Sequence, residues 1–213
     1  MTPLDGMAVE RSPAGTYVVR RTTREANVAV ELDLGPRREP APATGLAFFD
    51  HMLEMLSWYG GCTVTAAYEP LTYRLTHVIC EDIGLAVGAA CQAALRDRTA
   101  EGVEGSGFAF GSIDEALAFS HVSFEGRSGS YLTRGGAAAN EHVEDMLAAD
   151  LGAFFEGFAQ GGRVTVHVRI EQANDPHHAW EAAFRAFAKA LRGALAPNPW
   201  RAGLTAGVKG TLD

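Results

Sequence analysis

A chain of 213 residues with 47% hydrophobic and 21% charged side chains can bury a sizeable core, and its length allows one large domain or two small ones. A formal net charge of -8, with no basic run denser than Arg20, Arg21 and Arg24, excludes the electrostatic footprint of nucleic-acid binding. No uninterrupted apolar run reaches the roughly 18 residues of a membrane span, the first residues lack the pattern of a secretory signal, and Cys62, Cys80 and Cys91 form no C-x-x-C pair, so the expectation is a cytoplasmic protein with buried free thiols.

Residues 1–14 read as an N-terminal extension. From Tyr17 to Leu34 apolar and polar residues alternate, as half-buried antiparallel strands do. Phe48 and Phe49 then open an apolar-periodic helix, Cys62 to Tyr68 reads as a strand, and Thr76 to Arg98 predicts a long helix with Thr76 as its cap. Residues 99–111 are Gly-rich and read as a connector. The pattern then returns: strand-like sequence from Leu117 to Leu132, a helix at Phe154 and Phe155, a strand from Arg163 to Ile170, and a long helix from His177 to Leu195 with Asp175 as N-cap and Pro176 in its first turn. Residues 15–98 and 112–196 are therefore two copies of one unit, followed by a tail at 197–213.

The repeat also duplicates chemistry. His77 and Glu81 project from one face at the start of the first long helix, and His177 and Glu181 do so at the start of the second, with His178 beside them. One such pair is a common helix feature. Two pairs at equivalent positions of a duplicated unit suggest a metal site, and mixed imidazole and carboxylate donors suit manganese, zinc or iron. His51 sits among core-like Phe48, Phe49, Met52 and Leu53, His167 reads as a structural strand residue, and His121 and His142 have no partner at a diagnostic spacing.

GLAFFDHMLEML, ICEDIGLAVG, IDEALAFSHVSFEGRSGSYL, VTVHVRI, NDPHHAWEAAFRAFAKALR and the terminal GVKGTL resemble, in order, motifs of the imidazoleglycerol-phosphate dehydratase family, as in a divergent member. The resemblance implies an internally duplicated α+β fold, each half a four-stranded sheet with helices on one face. It implies removal of water from imidazole glycerol phosphate in histidine biosynthesis, two manganese ions per subunit on the substrate's imidazole nitrogens, a diazafulvene-type intermediate, and active sites between the subunits of a hollow cubic assembly of twenty-four. Carried over residue by residue, it implies His51, His77, Glu81, His177, His178 and Glu181 as metal ligands. Glu181, Glu81 and Glu25 become candidates for moving protons, with Glu181 foremost, and Arg127, Lys209, Arg185 and Glu25 for contacting substrate.

Several positions depart from the family pattern. Val78 and Ala153 stand where it has metal-binding histidines, Gly105 where it has a phosphate-contacting arginine, Met55 where it has glutamine, Tyr59 where it has histidine and Arg185 where it has lysine. The expectation is one firmly held ion per subunit, on His51, His77, Glu81 and His177, with His178 and Glu181 as half of a second site. The departures leave open a one-metal lyase acting on another imidazole compound, and a catalytically silent relative that binds metal or ligand.

Overall fold

In the computed structural model, which describes residues 6–139, 141–208 and 210, Met7–Arg11 forms strand β1, paired antiparallel to β2 (Tyr17–Thr22). The next strand, β3 (Ala26–Asp33), buries Ala26, Val28, Val30 and Leu32 on one face, as the alternation requires. After β4 (Ala41–Ala43) come helix α1 (Ala47–Gly60), β5 (Thr63–Pro70) and the long α2 (Thr76–Asp97). The second half runs β6 (Ser106–Ile113), β7 (Ala116–Ser123), β8 (Gly129–Arg134), the short hairpin β9 (His142–Val143) and β10 (Met146–Leu147), α3 (Ala148–Gly162), β11 (Thr165–Gln172) and α4 (Pro176–Ala194).

The two sheets reproduce one topology. Their orders are β1-β2-β3-β5-β4 and β6-β7-β11-β8, and in each half the first three shared strands are antiparallel while the last pairs parallel. The duplication is therefore a repeat of pairing as well as of sequence, with β1 as an added edge strand in the first half. The segment read as an N-terminal extension supplies that fifth strand.

The Gly-rich connector is also strand from Ser106 onward. Its glycines are there for proximity: a Cβ on Gly107 would lie 2.2 Å from the carbonyl oxygen of Ala190, and one on Gly111 2.3 Å from the amide of Ala186. Only a strand without side chains at those positions can lie this close to the alanine-rich face of α4. Composition alone made this stretch resemble a loop.

Helices lie between the sheets. α2 packs on β2 and β3 and against α3, while α4 packs on β6, β7 and β11 and against α1. Each long helix thus meets the short helix of the opposite half. A fully buried aromatic cluster joins these layers: Phe49 and Phe154 stand 5.7 Å apart between ring centroids, Phe155 and Phe184 5.1 Å, and Phe158 and Phe187 4.9 Å. α2 has the length and hydropathy of a membrane span, yet 83% of its most apolar window is buried inside the protein, where α3 and the first sheet cover it. Cys62, Cys80 and Cys91 are free thiols, and burial pushes Cys62 up to about 12 and the other two well above the ordinary value.

Candidate metal and substrate site

The start of α4 is fixed by its cap. The Asp175 side chain accepts hydrogen bonds from the amides of His177 and His178, and Pro176 follows as the sequence predicts. At this end, among the described residues, one group of three donors converges: ligand atoms of His51, His177 and Glu181 lie within 4.8 Å of one another. Nε2 of His51 is 3.4 Å, and Nε2 of His177 3.3 Å, from Oε2 of Glu181. Phe48 flanks His177 at 4.9 Å.

Glu181 is held from behind. Its side chain is 6% exposed, and Oε1 accepts hydrogen bonds from Nε of Arg185, at 3.0 Å, and from Nη2. Burial alone would raise its pKa, but the Arg185 hydrogen bonds and charge, with His51 adding to them, outweigh it and hold the carboxyl below its ordinary value. Arg185 is itself positioned, donating to the Ser112 carbonyl at 2.8 Å and lying 4.9 Å over the ring of Tyr59. Two departures from the family pattern, Tyr59 and Arg185, thus touch each other.

His77 and Glu81 do not join this group. They form a second cluster at the start of α2, 3.9 Å apart, in which Nδ1 of His77 lies 3.7 Å from the buried carboxylate of Asp150 on α3. Thr76, read as a cap, is the first helical residue instead; its hydroxyl donates to Asp150, and Leu75 takes the cap position without a side-chain bond. Each cluster is built across the duplication: the first from α1 and α4, the second from α2 and α3. The expected four-ligand set of His51, His77, Glu81 and His177 is therefore not brought together within one chain, and Glu181 rather than His77 completes the group around His51 and His177.

His178 also points elsewhere. Successive helical residues diverge by about 100° around the axis, so His177 and His178 face different partners. Nδ1 of His178 lies 3.0 Å from Oε2 of Glu115, whose Oε1 accepts from the amides of Asn174 and Asp175. Those hydrogen bonds lower Glu115 from 4.5 to about 2, the Asn174 amide contributing most, and Glu115 in turn raises His178 above 6.5. The depressed carboxylate contributes stability above pH 4.5 that is lost as pH falls through about 2; the raised imidazole contributes stability below pH 6.5 that is lost as pH rises through its elevated value. We expect a His178 ring proton, followed by NMR, to titrate above an ordinary histidine, and to move back toward pH 6.5 in E115Q.

The substrate candidates are dispersed. Arg127 is exposed on the β7–β8 loop with no ion pair among the described residues. Glu25 lies at the β2–β3 turn, where its charge adds to the burial that chiefly raises Asp82 and Tyr68. Arg185 serves Glu181, and Lys209 lies outside the described residues. A cavity of about 450 Å³ is lined in part by Arg37, Arg38, Glu54, Met55 and Trp58, and the Glu54 carboxylate lies 3.8 Å from Nδ1 of His51. At Gly105, with φ of 74°, a Cβ would fall 2.2 Å from that of Ala206, so the tail occupies the space an arginine would need.

Fold and donors together define a duplicated α+β protein whose imidazole–carboxylate site is assembled from both halves. The imidazoleglycerol-phosphate dehydratase family model matches residues 44–191. The chain is 34% identical over 189 residues to the imidazoleglycerol-phosphate dehydratase of Deinococcus radiodurans, covering 85% of this chain and 92% of that one. It is 38% identical over 181 residues to the histidine biosynthesis bifunctional protein HisB of Stenotrophomonas maltophilia, covering 85% of this chain but 49% of that protein, so it spans about half the length of the bifunctional relative. The solved IGPD structure from Pyrococcus furiosus superposes with a TM-score of 0.73 at 28% identity, covering 90% of this chain and 98% of that one. The chain belongs to the imidazoleglycerol-phosphate dehydratase family.

Proposed function

We propose that this chain is a cytoplasmic, manganese-dependent dehydratase that converts imidazole glycerol phosphate to imidazole acetol phosphate in histidine biosynthesis. The observation that carries the reading is the approach of two Nε2 atoms to one carboxylate oxygen, Oε2 of Glu181, with Oε1 already engaged. Nδ1 of His177 also meets a carboxylate at hydrogen-bond distance, Glu144 at 3.0 Å, and Glu54 lies 3.8 Å from Nδ1 of His51, an arrangement that favours Nε2 as the ligand atom of both. This donor set fits a divalent ion, held by His51, His177 and Glu181. When bound, such an ion supplies Lewis acidity to the substrate's imidazole, whose carbon-bound proton is otherwise too weakly acidic for a carboxylate to remove.

Proton movement falls to a different carboxylate from the one the sequence favours. A base fixed through one oxygen by an arginine and depressed in pKa gains little from accepting a proton, so Glu181 serves as an anionic donor. Glu81 is 36% exposed and only 3.9 Å from its histidine, and so is freer to accept and return a proton. Self-association into the large assembly of the family would bring the cluster of His77 and Glu81 from one copy to the His51 group of another, with Glu25 near the former. Arg127 is the candidate for the substrate phosphate.

The experiment is metal analysis with turnover. The purified protein holds one manganese firmly per subunit, dehydrates imidazole glycerol phosphate when so loaded, and restores growth of a histidine auxotroph lacking its dehydratase. Two tightly held ions would overturn the one-metal reading. The occupied arginine position at Gly105 and the apolar Met55 favour a second reading, a smaller or less polar imidazole alcohol as substrate. Turnover of such an alcohol with none of imidazole glycerol phosphate would replace the first reading with the second.

A further inference from the structure

Two consecutive histidines at the start of α4 are each propped by a glutamate on the two-residue turn of a β-hairpin. Glu115 follows Asp114 between β6 and β7 and meets His178; Glu144 precedes Asp145 between β9 and β10 and meets His177. Both turns place one residue in the left-handed region, as two-residue hairpin turns do: Asp114 has φ of 44° and Glu144 φ of 48°. At Glu144 that conformation suits glycine better than a side chain, and the contacts of the turn hold the glutamate in place.

Those contacts are visible on both sides of the turn. Oε1 of Glu144 lies 3.0 Å from Nδ1 of His177. The next residue, Asp145, accepts from the amides of Ala47 at 2.8 Å and Phe48 at 3.1 Å, the free donors at the start of α1. One dipeptide therefore ties the helix carrying His51 to the helix carrying His177. A carboxylate only accepts, so Glu144 favours the proton on Nδ1 of His177; Nε2, which faces Oε2 of Glu181 at 3.3 Å, would then offer its lone pair to a cation bound between them.

We propose that Glu144 is a positioning residue of the metal site, which selects the Nδ1-protonated form of His177 and orients its Nε2 for the ion. The proposal rests on the reading of His177 as a ligand. Because φ at this position suits glycine, the obvious variant relieves the backbone and does not threaten the fold.

The test is titration of the metal-free protein with manganese, followed by the EPR signal of the free ion, for wild type, E144G, E144Q and H177A, with thermal unfolding of each metal-free protein. E144G weakens manganese binding by about ten- to hundredfold, while its Tm is unchanged or higher. E144Q, whose amide oxygen still accepts from Nδ1, recovers most of the affinity despite losing the charge. E144G binding as tightly as wild type, with H177A impaired, would overturn the positioning role alone. So would E144Q losing as much as E144G, which would assign the effect to charge. Equal binding by wild type and H177A would remove His177 as a ligand, and the proposal with it.

Discussion

E181Q loses manganese affinity by more than about a hundredfold, beyond what a supporting residue costs, and its turnover falls by about a thousandfold. Glu181 is the point on which two imidazoles and a guanidinium converge, and among these it alone contributes negative charge. Glutamine keeps the shape and an acceptor for Arg185 but cannot offset a dication. Its stability cost is about 1–3 kcal/mol, because Arg185 keeps the Ser112 carbonyl and the Tyr59 ring when its carboxylate is neutralised. The sign of the pH dependence follows from the depressed carboxyl. Ionised Glu181 contributes stability above its ordinary 4.5 that is lost as pH falls through the lower folded value. Wild type therefore loses more stability than E181Q on the acid side, and the two converge at the lowest pH. Manganese titration, steady-state kinetics and unfolding at several pH values check these outcomes; full metal affinity in E181Q would remove Glu181 from the site.

How much of this was readable beforehand depends on the range of the forces involved. The i, i+4 spacing of His77 with Glu81 and of His177 with Glu181 is local geometry, and the helices place both pairs as expected. The Asp175 cap and Pro176 are equally local and hold. Which helix meets which is not local. Nothing in the periodicity of α1 or α3 states that each pairs with the long helix of the other half, so the swap of partners that puts His51 with His177 and Asp150 with His77 had no signal in the sequence. Resemblance supplied His51, but it grouped His51 and His177 with His77 and Glu81, which lie in a separate cluster of this chain. Asp150 and Glu144 lie between the motif ending at Leu132 and the one opening at Val164, in a segment that resembles none of the quoted motifs. Asp150 could have been flagged as a charged residue on an otherwise apolar helix face, whereas Glu144 carries no local signal, its left-handed backbone being shared with Asp114 and Arg163.

The same crossing of halves couples the clusters to the fold. α1 with α4 and α2 with α3 form two helix pairs of opposite parentage, and each pair carries one donor cluster at its leading ends. A change in one crossing should therefore disturb one cluster and leave the other. The aromatic contacts of Phe49 with Phe154, and of Phe155 with Phe184, keep the two pairs in one core. A metal bound at the His51 group then stabilises the folded chain by mass action, whichever half unfolds more readily.

The α2–α3 crossing is where a single methyl group should do the most harm. A Cβ on Gly161 would lie 2.0 Å from the carbonyl oxygen of Leu85, and one on Gly157 2.1 Å from that of Glu81, while Gly84 and Gly88 of α2 approach α3 in the same way. These neighbours are helix backbone, so relief requires the helices to separate. Alanine normally gains roughly 0.5–1 kcal/mol over glycine inside a helix, but overpacking here outweighs it. G161A should lose about 3 kcal/mol, a fall of roughly 6–12 °C in Tm for a chain of this size. G152A on the same helix is the control, because its Cβ would meet only the end of the Leu132 side chain at 3.4 Å, and it should be neutral or stabilising. G157A should also carry Glu81 and His77 away from Asp150 while leaving α1 and α4 in place. Its turnover should therefore fall further than its manganese content at the His51 group. Thermal unfolding with metal analysis of the three variants decides the matter: equal Tm values for G161A and G152A would mean that the helices do not cross as closely as described.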